Sequence, residues 1–385
     1  MLDVIEHVYA GDDQAIAFTA LVRLGGRLWC GLTGGRRCLV PFDLAARRFG
    51  SGVDIFPWAD DGPQVVLRKI HNGMAILDEQ RLVIGEGVLF GWDGIPYAFD
   101  PADAGARRIA TRRKASGIPP IRPERVGPGD LARFDMRQMP GGRILIYDIH
   151  TGSVEPIGQA PPFNYIQSLT VDRRRAIAYA HTLGDCHFLA IDLGAKRVED
   201  HGKISRFAFH NMLVAPDGIV YAAWTDSAAR PKLRVLRFDP AKGFLERLDA
   251  AYLDDPGPAV QGNVGLDQWL VHSSGDIYLG TVATGTLCRF DLDRLAVQPV
   301  AQAGPGGRVT TIDEDERGRI LFTGGFPLMH VARFDPATGK VEDFGPVTDH
   351  YEQVYFHGSA YVDGTLFLAE TDSGVAALWE VKLPD

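Results

Sequence analysis

The chain has 385 residues, a formal net charge of -9 and a pI near 5.7. That acidic balance argues against nucleic acid or an anionic membrane as the main partner, since both select basic surfaces. With 45% hydrophobic residues, 44 glycines and 24 prolines, the composition suits many short strands joined by tight turns and leaves no long polar tract to be disordered.

The N-terminus, MLDVIEHVYAGDD, lacks a basic segment followed by an apolar core, and no run approaches the roughly 18 apolar residues of a membrane span, so the expectation is a soluble, cytoplasmic protein. Residues 3–9 alternate like one strand but precede the first repeat. That repeat, about 17–58, reads AFTALVRL, RLWCGLT and CLVPFDL between Gly-Gly turns. A second starts at HNGMAIL and RLVIGEGV, is interrupted by a Pro-, Gly- and Arg-rich stretch at 91–140, and resumes with GRILIYD. The interruption reads as an insertion in the second blade, and the arginine-rich segment RRIATRRK inside it (107–114) as a solvated face. Further repeats follow at 165–205, 209–253, 267–304, 308–348 and 355–385, with no helix longer than a turn or two expected. The last has only three strands, and pairing with residues 3–9 would complete it.

What ties the repeats together is an apolar-Asp pair, a turn and a short alternating strand, as in YDIHTGSVEPIG, FDPAKGFLERL and RFDPATGKVEDFG. The anchor acids Asp148, Asp192, Asp239, Asp291, Asp335 and Glu380 recur at steps of 44 to 52 residues. A four-stranded unit of that length repeated around an axis predicts an all-β, seven-bladed β-propeller over residues 1–385, closed by the N-terminal strand. Counting Phe99-Asp100 as another anchor gives the alternative of eight blades. Cys30, Cys38, Cys186 and Cys288 lie in strand patterns without CxxC spacing and are expected as buried thiols, with Cys30–Cys38 the one pair able to bridge.

In a propeller the innermost strands start around one channel mouth. The residues just ahead of each inner stretch are Phe18, His71, Tyr165, His210, Gln268, Arg308 and His357, with Asn72, Asn164, Gln167, Arg206, Asn211, Trp269, Gln353 and Tyr355 as neighbours. The other histidines (His150, His181, His187, His201, His272, His330) sit on ordinary strand or loop positions and are assigned no role. Histidine and tyrosine beside arginine suit β-elimination from a uronic acid: His71, His210 or His357 as base, Tyr165 or a second His as acid toward the leaving oxygen, and Arg308 as a two-point carboxylate clamp. Asn72, Gln167, Asn211, Gln268, Trp269 and Tyr355 would complete the substrate site. The same three histidines could instead hold a divalent metal whose Lewis acidity does the clamping, and the residues leave both readings open.

The joint GGRILIYDIHTGSVEPIGQ and YIQSLTVD resembles that between the second and third blades of propellers acting on acidic saccharides, including oligogalacturonate, ulvan and rhamnosyl-glucuronate lyases. The resemblance spans most of the chain and rests mainly on structural motifs. It implies a lyase acting on a small anionic saccharide or glycoside, with His71, Tyr165, His210, Arg308 and His357 at the mouth. The alternatives are a glycan- or protein-binding propeller or a glycoside hydrolase on the same scaffold. The carboxylate ligands and WFTE-like repeats of lactonase and streptogramin-lyase propellers are absent.

Overall fold

The computed structural model describes residues 2–12, 15–35, 37–56, 67–89, 104–119, 140–205, 210–224, 233–253, 266–281, 285–371 and 373–384. Its strands form seven small antiparallel sheets, which are the blades of a seven-bladed propeller. Blade 3 shows the pattern: Tyr165–Asp172 innermost, then Ile177–Leu183, His187–Asp192 and Arg197–Lys203, each paired with its chain neighbour.

The anchor acids recur because each one builds the turn between its third and fourth strands. Asp43, Asp148, Asp192, Asp239, Asp291 and Asp335 each accept at Oδ1 from backbone N–H groups two or three residues on. Four residues after each, the backbone takes a positive φ: Arg47, Gly152, Lys196, Gly243, Leu295 and Gly339. Glycine fills only three of these positions, which is why the Asp marks the repeat better than the Gly does.

Neighbouring blades pack through their own apolar wedges. Trp29 and Leu39 of blade 1 meet Leu82 and Tyr147 of blade 2. Around the ring, Leu321 and Val331 of blade 6 meet Phe356 and Trp379 of blade 7, and Phe42 meets Phe367 and Leu378 across the closing joint. The N-terminal strand Asp3–Val8 pairs antiparallel with Ala377–Lys382, from Asp3 opposite Lys382 to Val8 opposite Ala377, and so supplies the outer strand of blade 7. This covers the edge that Ala377–Lys382 would otherwise present. All four cysteines are buried free thiols, and Cys30 and Cys38 are not bridged.

In blade 2 the chain leaves after Arg81–Gly85 and returns at Arg143–Asp148. On leaving, Gly87–Leu89 pairs with Leu67–Lys69, which itself touches blade 1 at Thr33. Two expectations need correction here. Ala104–Ala115 is a three-turn helix, where no helix of that length was expected. Alanine and arginine favour it, three basic residues in its last turn suit its dipole, and a Schellman motif ends it: Gly117 is left-handed, its N–H reaches Lys114 O, and Ile118 N–H reaches Arg113 O.

Nor are Arg112 and Arg113 of this segment on a solvated face, because both are buried. Arg113 donates to the carbonyls of Ala15 and Gly374, and Arg112 pairs with Glu370 and Glu6. Ala15 precedes an inner strand and Gly374 follows a second strand, so the helix sits on the blade face where inner strands begin, anchored to blades 1 and 7. The rest of the 91–140 stretch lies mostly outside the described residues, as does Phe99-Asp100.

Candidate functional site

Inner strands position the site through local irregularities. In blade 7 a β-bulge between Phe356 and Gly358 makes His357 the extra residue, unmatched on the neighbouring strand. Equivalent irregularities fall at Thr19 in blade 1, Gln167 in blade 3, and Asp267 with Gln268 in blade 5. In blades 2 and 4 the histidine stands ahead of the strand and precedes a left-handed asparagine, Asn72 (φ 44) and Asn211 (φ 54). Asparagine tolerates that conformation better than most residues.

His71, His210 and His357 come together. Their ring centroids are 4.7, 5.0 and 5.0 Å apart, and a nitrogen from each lies within 4.8 Å of the other two. His71 Nδ1 donates to the Gln167 carbonyl at 3.0 Å, leaving Nε2 its lone pair. His210 Nδ1 lies 2.6 Å from Asp267 Oδ1. At that separation a lone pair on Nδ1 would face a carboxylate oxygen, so Nδ1 carries the proton and Arg308 Nη2 at 3.1 Å is a neighbour there and not its donor. Both nitrogens of His357 are buried without a hydrogen-bond partner.

Burial, then the charge of Lys69 and the nearby His210, hold the His71 pKa well below the usual imidazole range. Burial and the other two imidazoles do the same to His357. Both are therefore neutral at physiological pH, the form that coordinates a metal or accepts a proton. Burial pushes the Asp267 carboxyl up, but Arg308 and His210 together outweigh it and hold the group well below the carboxylate range.

The remaining predicted residues divide. Asn72 and Gln167 are buried, with Nδ2 and Oε1 respectively lacking a protein partner, which leaves hydrogen-bonding capacity for a ligand. Asn211 Nδ2 donates to the Asp267 carbonyl and Gln268 Nε2 to the His357 carbonyl, so both brace the cluster. Tyr355 is buried, with its ring 6.4 Å from His357 and beneath the Arg308 guanidinium.

Arg308 is not placed as an open clamp: its Nε and Nη2 both bind Asp267 Oδ2, at 2.9 and 2.6 Å. Tyr165 stands with Glu86, Arg143 and Arg68, where burial and then Glu86 raise its phenol pKa; the bulged residue of its blade is Gln167. Phe18 and Trp269 pack into apolar clusters, and Asn164 ties a turn by accepting from Thr182 Oγ1 and Asp185 N. Gln353 is buried, and Arg206 lies outside the described residues. Sequence reasoning missed Asp267, because reading the position one residue later gave Gln268; an acid beside a ring of histidines was the available signal.

Fold and site together define a seven-bladed β-propeller with a histidine cluster at its channel mouth. No family model and no curated protein matches the chain. Among solved structures it is similar to virginiamycin B lyase from Staphylococcus aureus, with 9% identity, all of both chains covered and a TM-score of 0.61. It is also similar to an extracellular domain from B. thetaiotaomicron assigned to a one component system, with 10% identity and a TM-score of 0.57, covering 97% of this chain and 39% of that one. The RRP9 WD40 repeats match at 8% identity and a TM-score of 0.53, over 96% and 95% of the two chains. The chain thus spans about two fifths of the B. thetaiotaomicron chain, and at these identities the likeness is one of fold. Among the described residues no helix is long and apolar enough to cross a membrane.

Proposed function

We propose that this propeller is a divalent-metal-dependent lyase that cleaves a uronate-containing glycoside or oligosaccharide by β-elimination. One observation carries the metal: three imidazoles converge, His71 Nδ1 is held by the Gln167 carbonyl, His210 Nδ1 lies against Asp267, and the third has both nitrogens buried and unpaired. A carboxylate or carbonyl behind the ligating histidine is the usual support of such a site, since it fixes the tautomer and raises ligand basicity. His71 and His210 would offer Nε2, and His357 either nitrogen.

A divalent ion bound there supplies Lewis acidity toward a carboxylate and so acidifies the adjacent C–H. The chain supplies the rest. Arg308 and Asp267 hold His210 in orientation, and Asn72 Nδ2 and Gln167 Oε1 offer hydrogen bonds to the sugar; the C–H proton would pass to hydroxide from solvent as the C–O bond to the leaving sugar breaks, and that oxygen would take a proton from water. The anionic substrate class follows the resemblance of the blade-joint segment and the concentration of cations beside His71.

The test is metal analysis of the purified protein, followed by incubation of the metal-loaded form with galacturonate, glucuronate and ulvan-type oligosaccharides. Formation of unsaturated uronate, lost on chelation and restored by metal, is expected. Saturable glycan binding with no product released would replace the lyase by a binding propeller.

A further inference from the structure

The two His-Asn pairs of the cluster meet the following blade in different ways, and the difference leaves two polar groups unmatched. We propose that Asn72 and Gln167 form a subsite that reads ring hydroxyls of the sugar, an inference that rests on the uronate reading above.

In blade 4 both members of the pair are matched. His210 Nδ1 lies against the carboxylate of Asp267, at the irregularity of blade 5, and Asn211 Nδ2 donates to the backbone carbonyl of that same residue at 3.1 Å. Blade 2 faces Gln167 instead, the extra residue of the blade 3 bulge, which has no carboxylate to offer. His71 Nδ1 therefore takes the Gln167 carbonyl at 3.0 Å, the acceptor equivalent to the one that Asn211 uses. Asn72 Nδ2 is left without a partner. One residue in the chain accompanies the exchange: Gly73 stands between Asn72 and the strand Met74–Ile76, whereas Asn211 runs directly into Met212–Val214.

Both side chains belong to the mouth. Gln167 occupies the irregular position that carries Asp267 in blade 5 and His357 in blade 7, the residues that meet His210 there, and its Oε1 is buried with no partner. Asn72 is fixed beside it by its backbone, whose N–H donates to the Thr19 carbonyl at 2.8 Å and whose carbonyl accepts from Leu169 N at 2.9 Å. Asn72 is 9% exposed and Gln167 6%, so each unmatched atom costs the ligand-free protein free energy. Stability gives no reason to keep them.

An unmatched donor and an unmatched acceptor flanking one histidine select their ligand by chemistry. Nδ2 needs an acceptor and Oε1 a donor; hydroxyls are both, whereas a carboxylate, an ether or a ring oxygen can only accept. The amides are neutral and so do not duplicate the pull of a metal on the carboxylate. His71, whose Nε2 would face the ion, adjoins both, which puts the hydroxyls read here on the same ring as the metal-bound carboxylate.

The experiment measures kcat/KM of the metal-loaded protein on a digalacturonate and on its 2-deoxy and 3-deoxy counterparts, for wild type, Asn72→Gly, Gln167→Met and Gln167→Glu, with metal content and metal-free Tm for each. Wild type should lose about tenfold or more on at least one deoxy substrate. Asn72→Gly suits the left-handed backbone, and Gln167→Met keeps the carbonyl that holds His71. Both should lose a similar factor on the parent substrate, and in both the penalty for the missing hydroxyl should largely vanish. Gln167→Glu retains an acceptor and should retain most of that penalty. Metal content and Tm should change little, because the deleted atoms have no hydrogen-bond partner in the protein. Equal wild-type rates on all three substrates, or a penalty undiminished in the folded variants, would overturn the subsite and leave the amides to buried water. A loss of metal parallel to the loss of activity would make them supports of the histidines instead. If wild type neither binds nor cleaves any of the three, the uronate reading itself fails and takes this assignment with it.

Discussion

Arg112 and Glu370 are 258 residues apart in sequence, yet Arg112 Nη2 lies 2.7 Å from Glu370 Oε2 with both side chains sealed from water. Nε of the same guanidinium binds Glu370 Oε1 at 3.3 Å, Nη2 also reaches Glu6 on the N-terminal strand, and Nη1 reaches Ser116. Tyr351 lies under it at 4.0 Å, and Trp379 Nε1 donates to Glu370 Oε2 at 2.6 Å. The helix inserted in blade 2 therefore clamps blade 7 at the joint where the chain's two ends meet.

Replacing Arg112 by Met should cost about 3–5 kcal/mol, because it leaves Glu370 ionised or protonated in a site with no cation to match it. A double variant, Arg112→Met with Glu370→Gln, should recover much of that loss. Denaturant unfolding of the three proteins checks both statements; equal stabilities for wild type and the single variant would show that the clamp contributes nothing.

The N-terminal strand makes the same joint from the other side. Deleting residues 1–10 removes the backbone pairing with Ala377–Lys382 and the His7–Glu380 and Lys382–Asp3 ion pairs, and exposes an edge strand. A substantially lower melting temperature and concentration-dependent aggregation are expected. An unchanged melting curve would contradict closure by this strand.

The repeat was legible because its turn chemistry is local: an Asp, three residues and a positive φ recur in sequence as they do in space. The histidine ring was legible for a related reason, since equivalent positions of inner strands converge whatever their identity. The details were not. Phe18 and Tyr165 were counted into the ring because a bulge shifts the inward position by one or two residues, to Thr19 and Gln167, and a bulge leaves no mark in apolar alternation. Arg112 looked solvated because its partners, Glu6 and Glu370, lie more than a hundred residues away in either direction. The helix end itself is written in the sequence, as Ser116-Gly117-Ile118-Pro119.

Asp313 should give the protein a distinctive pH response. Burial raises its pKa to about 6, against the hydrogen bonds from Ser359 and the Tyr361 backbone, and its Oδ2 is shut off from water. Since the folded pKa exceeds the unfolded one, the native state keeps a proton over roughly pH 4–6 that the unfolded chain has lost. Stability from this group therefore falls as pH rises through that window, by at most about 3 kcal/mol. Asp313→Asn should melt at a higher temperature than wild type at pH 7, with the two converging near pH 4. Melting curves across that range decide it, and a constant difference would remove Asp313 as the source.

Arg308→Lys tests the inner support of the cluster. A lysine cannot reproduce the paired contact of Nε and Nη2 with Asp267 Oδ2, so Asp267 and with it His210 lose their fixed orientation. Metal affinity should fall about 10–100-fold, the usual cost of disturbing the residues behind a metal ligand. Metal titration followed calorimetrically gives the number directly, and unchanged affinity would mean that His210 is held by other contacts.

His357 separates function from stability most cleanly. Both its nitrogens are buried without partners, which costs free energy in the metal-free protein that only the ring's packing against its neighbours offsets. His357→Ala should therefore leave the metal-free melting temperature unchanged or raise it, apart from a small loss of packing. Wild type at a divalent metal concentration of a hundred times Kd should gain about 2.7 kcal/mol by linkage, and the variant should show little of that shift. Turnover should fall by a factor of about 100 or more. A variant that keeps the metal-induced shift would show that the three imidazoles do not bind as a set; one that melts far lower without metal would make His357 a structural residue.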